Sequence, residues 1–310
     1  MKCWTCFLVA SLLLLTPRAN GQQLSREQIS EKLERDGCVT LTEKNVKICK
    51  AYYVSDGNSI EALSIRPLPE GKYPGILLTQ APLTLGTVLA QQGFACLSVE
   101  QPGFGKSQGK RDFVGPATVK ALITGFKKLQ REPYVDAKKM GIFGYSRGAI
   151  AASLMTLRLG NEIKAAVFGA GAYDFRKAYD EVTIAGIRKN MEAETGMTEK
   201  AIKERSPVLQ MKKLKSPVLI LHSEKDENVS VNQALLLRDR LTSLGKDFEI
   251  QLSPTGKHGF LNGDFVSTVV DFFNRRLKGI SRRESTKQAR YWGHPLQKFS
   301  LYAKILPYGL

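Results

Sequence analysis

Histidine is scarce in this 310-residue chain: three occur, His222, His258 and His294. A side chain that exchanges a proton near neutral pH therefore has to be one of these three, if it is an imidazole. Long apolar runs are missing too. The run at the N-terminus, Phe7 to Leu15, is nine residues, whereas a bilayer-crossing helix needs roughly 20, so no stable membrane span is expected. Internal repeats are absent. Acidic residues number 29 against 46 basic ones, a net charge of +17. Lys2 and Arg18 supply +2 of that and residues 278–310 supply +6, leaving +9 for residues 22–277. A basic surface can attract polyanions, but no nucleic-acid motif and no basic-aromatic stacking pattern accompanies it, so no nucleic-acid partner is expected and the lysines are read as solvated. No metal or other cofactor is expected either.

Lys2, the short apolar run and the small residues Ala19-Asn20-Gly21 read together as a signal peptide over residues 1–21, with Gln22 first after cleavage. The expectation is a secreted or exported protein, periplasmic or extracellular, in an oxidising compartment. Of the five cysteines, Cys38, Cys49 and Cys96 remain after cleavage. Cys38 and Cys49, eleven positions apart, are candidates for a disulfide, while Cys96 sits among strand residues and reads as a small core hydrophobe.

What the chain does have is Gly144-Tyr145-Ser146-Arg147-Gly148, placed between an apolar strand, Met140 to Phe143, and a small-residue helix, Ala149 to about Leu159. Such a strand-turn-helix setting is a nucleophile elbow, in which the serine takes a strained conformation and the flanking glycines let strand and helix approach. Partners follow in the order acid, then histidine. His222 lies in the apolar run Val218 to His222 and reads as a buried strand end; His294 lies in the basic tail. That leaves His258, in the loop Ser253 to Phe260. Asp226 follows the strand Pro217 to Leu221 by a short loop, so its carboxylate faces the crevice at the strands' C-terminal ends. Glu224 and Glu227 are its neighbours and rivals.

Residues from about Val46 to Leu277 resemble the prolyl oligopeptidase and dienelactone hydrolase branch of the α/β-hydrolases. The resemblance rests on Gly141 to Gly148, on Ser206-Pro207 and then Ser216 to Val229, and on Gly256-Lys257-His258-Gly259-Phe260. It implies Ser146 as nucleophile, His258 as general base and Asp226 as the group that orients it. The residue types suit the chemistry: a serine hydroxyl is a poor nucleophile until an imidazole takes its proton, and a carboxylate fixes the imidazole tautomer. The N–H of Arg147 is one expected oxyanion donor. Where relatives carry a His-Gly or Gly-Gly pair, this chain reads Thr79-Gln80-Ala81-Pro82. Proline has no N–H, so Gln80 or Ala81 is expected to supply the second donor.

Along the rest of the chain strands alternate with helices. A hairpin, Lys47 to Val54 and Ile60 to Arg66, turns at Asp56-Gly57-Asn58. Strands follow at Gly75 to Leu78, Phe94 to Val99, Ala165 to Phe168, Val218 to Leu221 and Phe248 to Leu252. Helices are read at Leu85 to Gln92, Pro116 to Arg131, Asn232 to Leu244 and Phe265 to Leu277. This alternation predicts an α/β-hydrolase fold, a mostly parallel sheet with helices on both faces. The expected organisation is an N-terminal segment 22–45, the hydrolase domain 46–277 with residues 170–213 as a small helical cap, and a basic extension 278–310. In the cap, Tyr173, Phe175, Tyr179, Ile184 and Ile187 are irregularly spaced and read as ordinary packing, and Gln101 to Ser107 reads as a plain glycine turn. Residues before Val46 are too few for the β-propeller that guards full prolyl oligopeptidases. The expected activity is therefore a serine hydrolase acting on a small-molecule carboxylic ester, with amides or short peptides as the alternative and a non-catalytic binding protein as a third reading.

Overall fold

The structure is a computed structural model that describes residues 24–258 and 263–285. The signal read in residues 1–21, the residues Gly259 and Phe260 of the histidine loop, His294 and residues 286–310 of the basic extension lie outside the described residues. Strands β1 (Cys38–Leu41), β2 (Val46–Ser55), β3 (Asn58–Pro67), β4 (Tyr73–Thr79), β5 (Ala95–Val99), β6 (Val135–Tyr145), β7 (Ala165–Gly169), β8 (Val218–Ser223) and β9 (Phe248–Ser253) form one sheet. Their order is β1-β2-β3-β5-β4-β6-β7-β8-β9. Pairing is antiparallel from β1 to β5 and parallel from β5 to β9. The β2–β3 hairpin closes through Asp56 and Gly57, both at positive φ (48° and 77°). That mirror-image turn matches the twist of the strands it joins.

The helices are α1 (Arg26–Asp36), α2 (Leu83–Gln91), α3 (Pro116–Gln130), α4 (Arg147–Leu159), α5 (Phe175–Glu181), α6 (Ala185–Thr195), α7 (Glu199–Glu204), α8 (Asn232–Ser243) and α9 (Gly263–Phe273). Ile76, Leu77 and Leu78 in β4 are all fully buried, although they point alternately to opposite faces. Leu77 packs in the layer with Leu122 and Phe126 of α3, Leu154 of α4 and Leu237 of α8. Ile76 and Leu78 pack in the other, with Leu85 and Leu89 of α2 and Val269 and Phe272 of α9. Continuous apolar strands are what helices on both faces impose, and each buried Leu or Phe stabilises by roughly 1.5–3 kcal/mol.

Residues 22–45, which had no predicted element, carry α1 and β1. A capping box starts the helix: Gln28 N–H donates to Ser25 Oγ and Ser25 N–H donates to Gln28 Oε1. Gly37, at φ 70°, ends it. Strand β1 then pairs with β2 so that Cys38 stands opposite Cys49, and the two are bridged. Cys96 is buried as a free thiol. Residues 170–213 fold as α5, α6, α7 and a 3-10 turn, Pro207–Lys213. Among the described residues no helix is long and apolar enough to cross a membrane.

Candidate active site

Ser146 separates the end of β6 from the start of α4 and adopts φ 53°, ψ −123°. Such a conformation costs an L-residue on the order of 1–3 kcal/mol and persists only where surroundings hold it. Two backbone bonds do so: Ser146 N–H donates to Gly169 O at the end of β7 (2.8 Å), and Ser146 O accepts from Ala149 N–H (2.9 Å). The flanking glycines are required by contact. A Cβ at Gly144 would lie 2.1 Å from Gly148 O, and one at Gly148 would lie 2.3 Å from Thr79 O. Backbone atoms cannot swing aside, so β4, β6 and α4 meet here only without side chains.

Across the C-terminal edge of the sheet, Ser146 Oγ lies 2.9 Å from His258 Nε2. The other ring nitrogen, Nδ1, is 2.8 Å from Asp226 Oδ2. Asp226 Oδ1 accepts from the N–H groups of Asn228 and Val229, both at 2.9 Å, and its side chain is fully buried. Burial works to raise the Asp226 carboxyl, but the hydrogen bonds from His258 and from the Val229 N–H outweigh it and hold the group below its ordinary value. An ionised Asp226 can only accept, so His258 Nδ1 carries the ring proton and Nε2 presents its lone pair to the serine hydroxyl. Of the rival acids, Glu224 is exposed, and Glu227 pairs with Lys257 at 3.0 Å.

His222 is the buried end of β8. Its Nε2 is 2.9 Å from Val229 O and 3.5 Å from Asp226 Oδ2. Burial pushes this imidazole below its ordinary value, so it is neutral and donates from Nε2 to Val229 O. Through Val229 it braces the loop that carries Asp226.

An open cavity adjoins Ser146 and His258. Its apolar wall comes from Phe104, Phe113, Ile150, Val182, Ile187 and Met191, with Glu181, Asn190, Asn228 and Ser230 as the polar part. Two sequence expectations are corrected here. Ile187 in α6 does not serve ordinary packing alone, because it lines this cavity; Tyr173 and Phe175 are fully buried as expected. The Gln101 to Ser107 turn also does more than turn the chain, since its Phe104 enters the wall.

Of the expected oxyanion residues, Gln80 and Arg147 line the cavity, while Ala81 packs in the core beside α2. Arg147 is the first residue of α4, where a backbone N–H has no partner within the helix. Its side chain reaches α6: Nη2 is 2.6 Å from Glu194 Oε2, and the guanidinium lies 4.1 Å over the Phe113 ring. Glu194 Oε2 also accepts from Phe113 N–H at 2.7 Å. Glu194 and the loop of Phe113 escape sequence reasoning because they meet Arg147 only through the fold.

Fold and site together define the class: an α/β-hydrolase that is a serine hydrolase. Residues 86–279 match the prolyl oligopeptidase family, and the chain belongs to it. It is 31% identical over 229 residues to the uncharacterized peptidase YtmA of Bacillus subtilis (strain 168), which covers 70% of this chain and 88% of that one. Identity to dipeptidyl-peptidase 5 of Porphyromonas gingivalis is 22%, over 62% of this chain and 30% of the relative. Among solved structures, an acylaminoacyl peptidase in complex with Z-Gly-Gly-Phe-chloromethyl ketone superposes with a TM-score of 0.68 at 19% identity, covering 79% of this chain and 44% of that one. Acetyl xylan esterase from Paenibacillus sp. R4 does so with a TM-score of 0.65 at 16% identity, covering 77% and 87%. The chain thus spans most of the Bacillus protein and the esterase, but less than half of the two larger peptidases.

Proposed function

We propose that the protein is an exported serine hydrolase that cleaves carboxylic esters through an acyl-enzyme on Ser146, with His258 as base and Asp226 as its orienter. The observation that carries this reading is the continuous hydrogen-bonded line from Ser146 Oγ through His258 to Asp226, opening on an apolar cavity. Ser146 Oγ attacks the acyl carbon as His258 Nε2 takes its proton. The tetrahedral oxyanion then collapses, and the departing alkoxide takes that proton from His258. Water repeats the sequence on the acyl-enzyme: His258 takes a proton from it, and collapse returns Ser146 to its hydroxyl form and releases the acid.

Ester over amide is favoured by the leaving group. An alcohol leaves readily, whereas an amine must be protonated as it leaves and demands stronger oxyanion stabilisation. The peptidase names carried by the relatives favour the second reading, an amidase or peptidase acting on short peptides. The two are separated by kcat/KM for a short-chain aryl ester and for a proline-containing peptide amide, with Ser146→Ala as the blank. The ester is expected to be turned over much faster; comparable values would replace the esterase by a peptidase.

Export is part of the proposal. The Cys38–Cys49 bridge supports it, since such pairs persist in oxidising compartments. Intact mass of the exported protein is expected to place Gln22 first, and a mass retaining residues 1–21 would instead mean an uncleaved anchor.

A further inference from the structure

We infer that the second oxyanion donor is the side-chain amide of Gln80, acting with the Arg147 backbone N–H. This deepens the hydrolase reading above and rests on it. Gly148 N–H donates to Gln80 Oε1 at 3.1 Å. An amide whose oxygen faces a donor turns its NH2 group the other way, so the orientation of Gln80 follows from the chemistry of its partner. Oε1 is thereby engaged by the elbow itself, while no acceptor among the described residues engages Nε2. Gln80 lines the same cavity as Ser146, Arg147 and His258.

The backbone around Gln80 points the same way. Gln80 holds φ 54°, a left-handed conformation that a glutamine adopts only when held there, and such outliers gather at functional sites. At the elbow, a Cβ on Gly148 would lie only 2.9 Å from the Gln80 Cβ. Glycine at 148 thus leaves room for Gln80 as well as for the strand. Two positions on, Pro82 lacks an N–H altogether. A donor oriented in advance by a backbone bond needs no reorganisation when charge appears on the carbonyl oxygen, which is the condition for strong transition-state stabilisation. No proton moves to or from Gln80: its N–H only donates to the growing oxyanion as Ser146 bonds to the carbon.

The test compares Gln80→Met, close in shape but without a donor, with the wild type on p-nitrophenyl acetate and against a trifluoromethyl ketone that forms a tetrahedral adduct on serine. Both proteins keep the backbone N–H of residue 80. Expected are a kcat lower by about 10²-fold, a KM within threefold, and a ketone affinity weakened by the same factor as kcat/KM. Kinetics within threefold of wild type would return the role to the backbone. A lower kcat with unchanged ketone affinity would also overturn the inference, since the loss would then lie outside the oxyanion. Where Gln80→Met does not fold, Gln80→Ala takes its place under the same criteria. Wild type that fails to label with a fluorophosphonate at Ser146 would sink the hydrolase reading itself, a result distinct from either.

Discussion

Ser146→Ala is expected to reduce ester hydrolysis to the level of the buffer blank and to abolish labelling by a fluorophosphonate, with the thermal melt little changed. Loss of activity follows from the missing oxygen: His258 Nε2 faces Ser146 Oγ at 2.9 Å, and alanine leaves the imidazole nothing to deprotonate but water. Removing a triad nucleophile elsewhere leaves only the residual catalysis of oxyanion hole and binding, around 10³–10⁴-fold over water, which simple aryl esters at bench concentrations do not reveal. Stability should hold because the hydroxyl's partner among the described residues is His258, and because alanine keeps a Cβ and gives up one polar group at the cavity surface. The strained φ of 53° is set by Gly169 O and the two glycines, none of which the substitution touches. A variant that retained full turnover would remove Ser146 from the chemistry.

Asp226→Asn is expected to cost on the order of 10⁴ in turnover, the loss seen when the acid of a serine triad becomes an amide. The reason lies in the proton on Nδ1. Asp226 Oδ2 accepts from His258 Nδ1 at 2.8 Å, while Oδ1 accepts from the N–H groups of Asn228 and Val229. In the variant the carbonyl oxygen of the new amide has to serve those two N–H groups, so its NH2 faces His258. That face then demands an unprotonated Nδ1, which moves the ring proton to Nε2 and turns it toward the serine. Geometry survives and the tautomer is wrong. Steady-state kinetics on an aryl ester measure the loss, and an Asp226→Asn enzyme within twofold of wild type would pass the acid role to another carboxylate.

The nucleophile is legible in sequence because its constraints are local. Gly144, Ser146 and Gly148 are dictated by a turn in which neighbouring backbones nearly touch, and the scarcity of histidine leaves His258 as the base. The acid is less legible. Glu224, Asp226 and Glu227 crowd one short loop, and only the extension of β8 to Ser223, with the Asn228 and Val229 amides curling back, selects Asp226. Cavity walls are illegible for a different reason: Ile187 and Met191, one turn apart on α6, look the same in sequence whether they face a core or an open pocket. Pairs such as Arg147 and Glu194, 47 positions apart, need the fold before they exist. In residues 22–45 the Ser25-x-x-Gln28 pattern is a local signal for the start of α1, but β1 is four residues long and takes its place from β2.

The bridge between Cys38 and Cys49 also has a mechanical meaning. Strand β1 is the outermost of the sheet, and tension applied to the N-terminal side of the chain would ordinarily peel such an edge strand away one residue at a time. Here the pull would unwind α1 and reach Cys38, the first residue of β1, where the covalent link hands it to Cys49 in the middle of β2. Residues 39–48 drop out of the line of force, and the load falls on the pairs of β2 and β3 from Cys49 onward. Reducing agent would therefore shorten the structure's resistance to pulling from that end by the whole of β1, without altering the line from Ser146 to Asp226 at the sheet's centre.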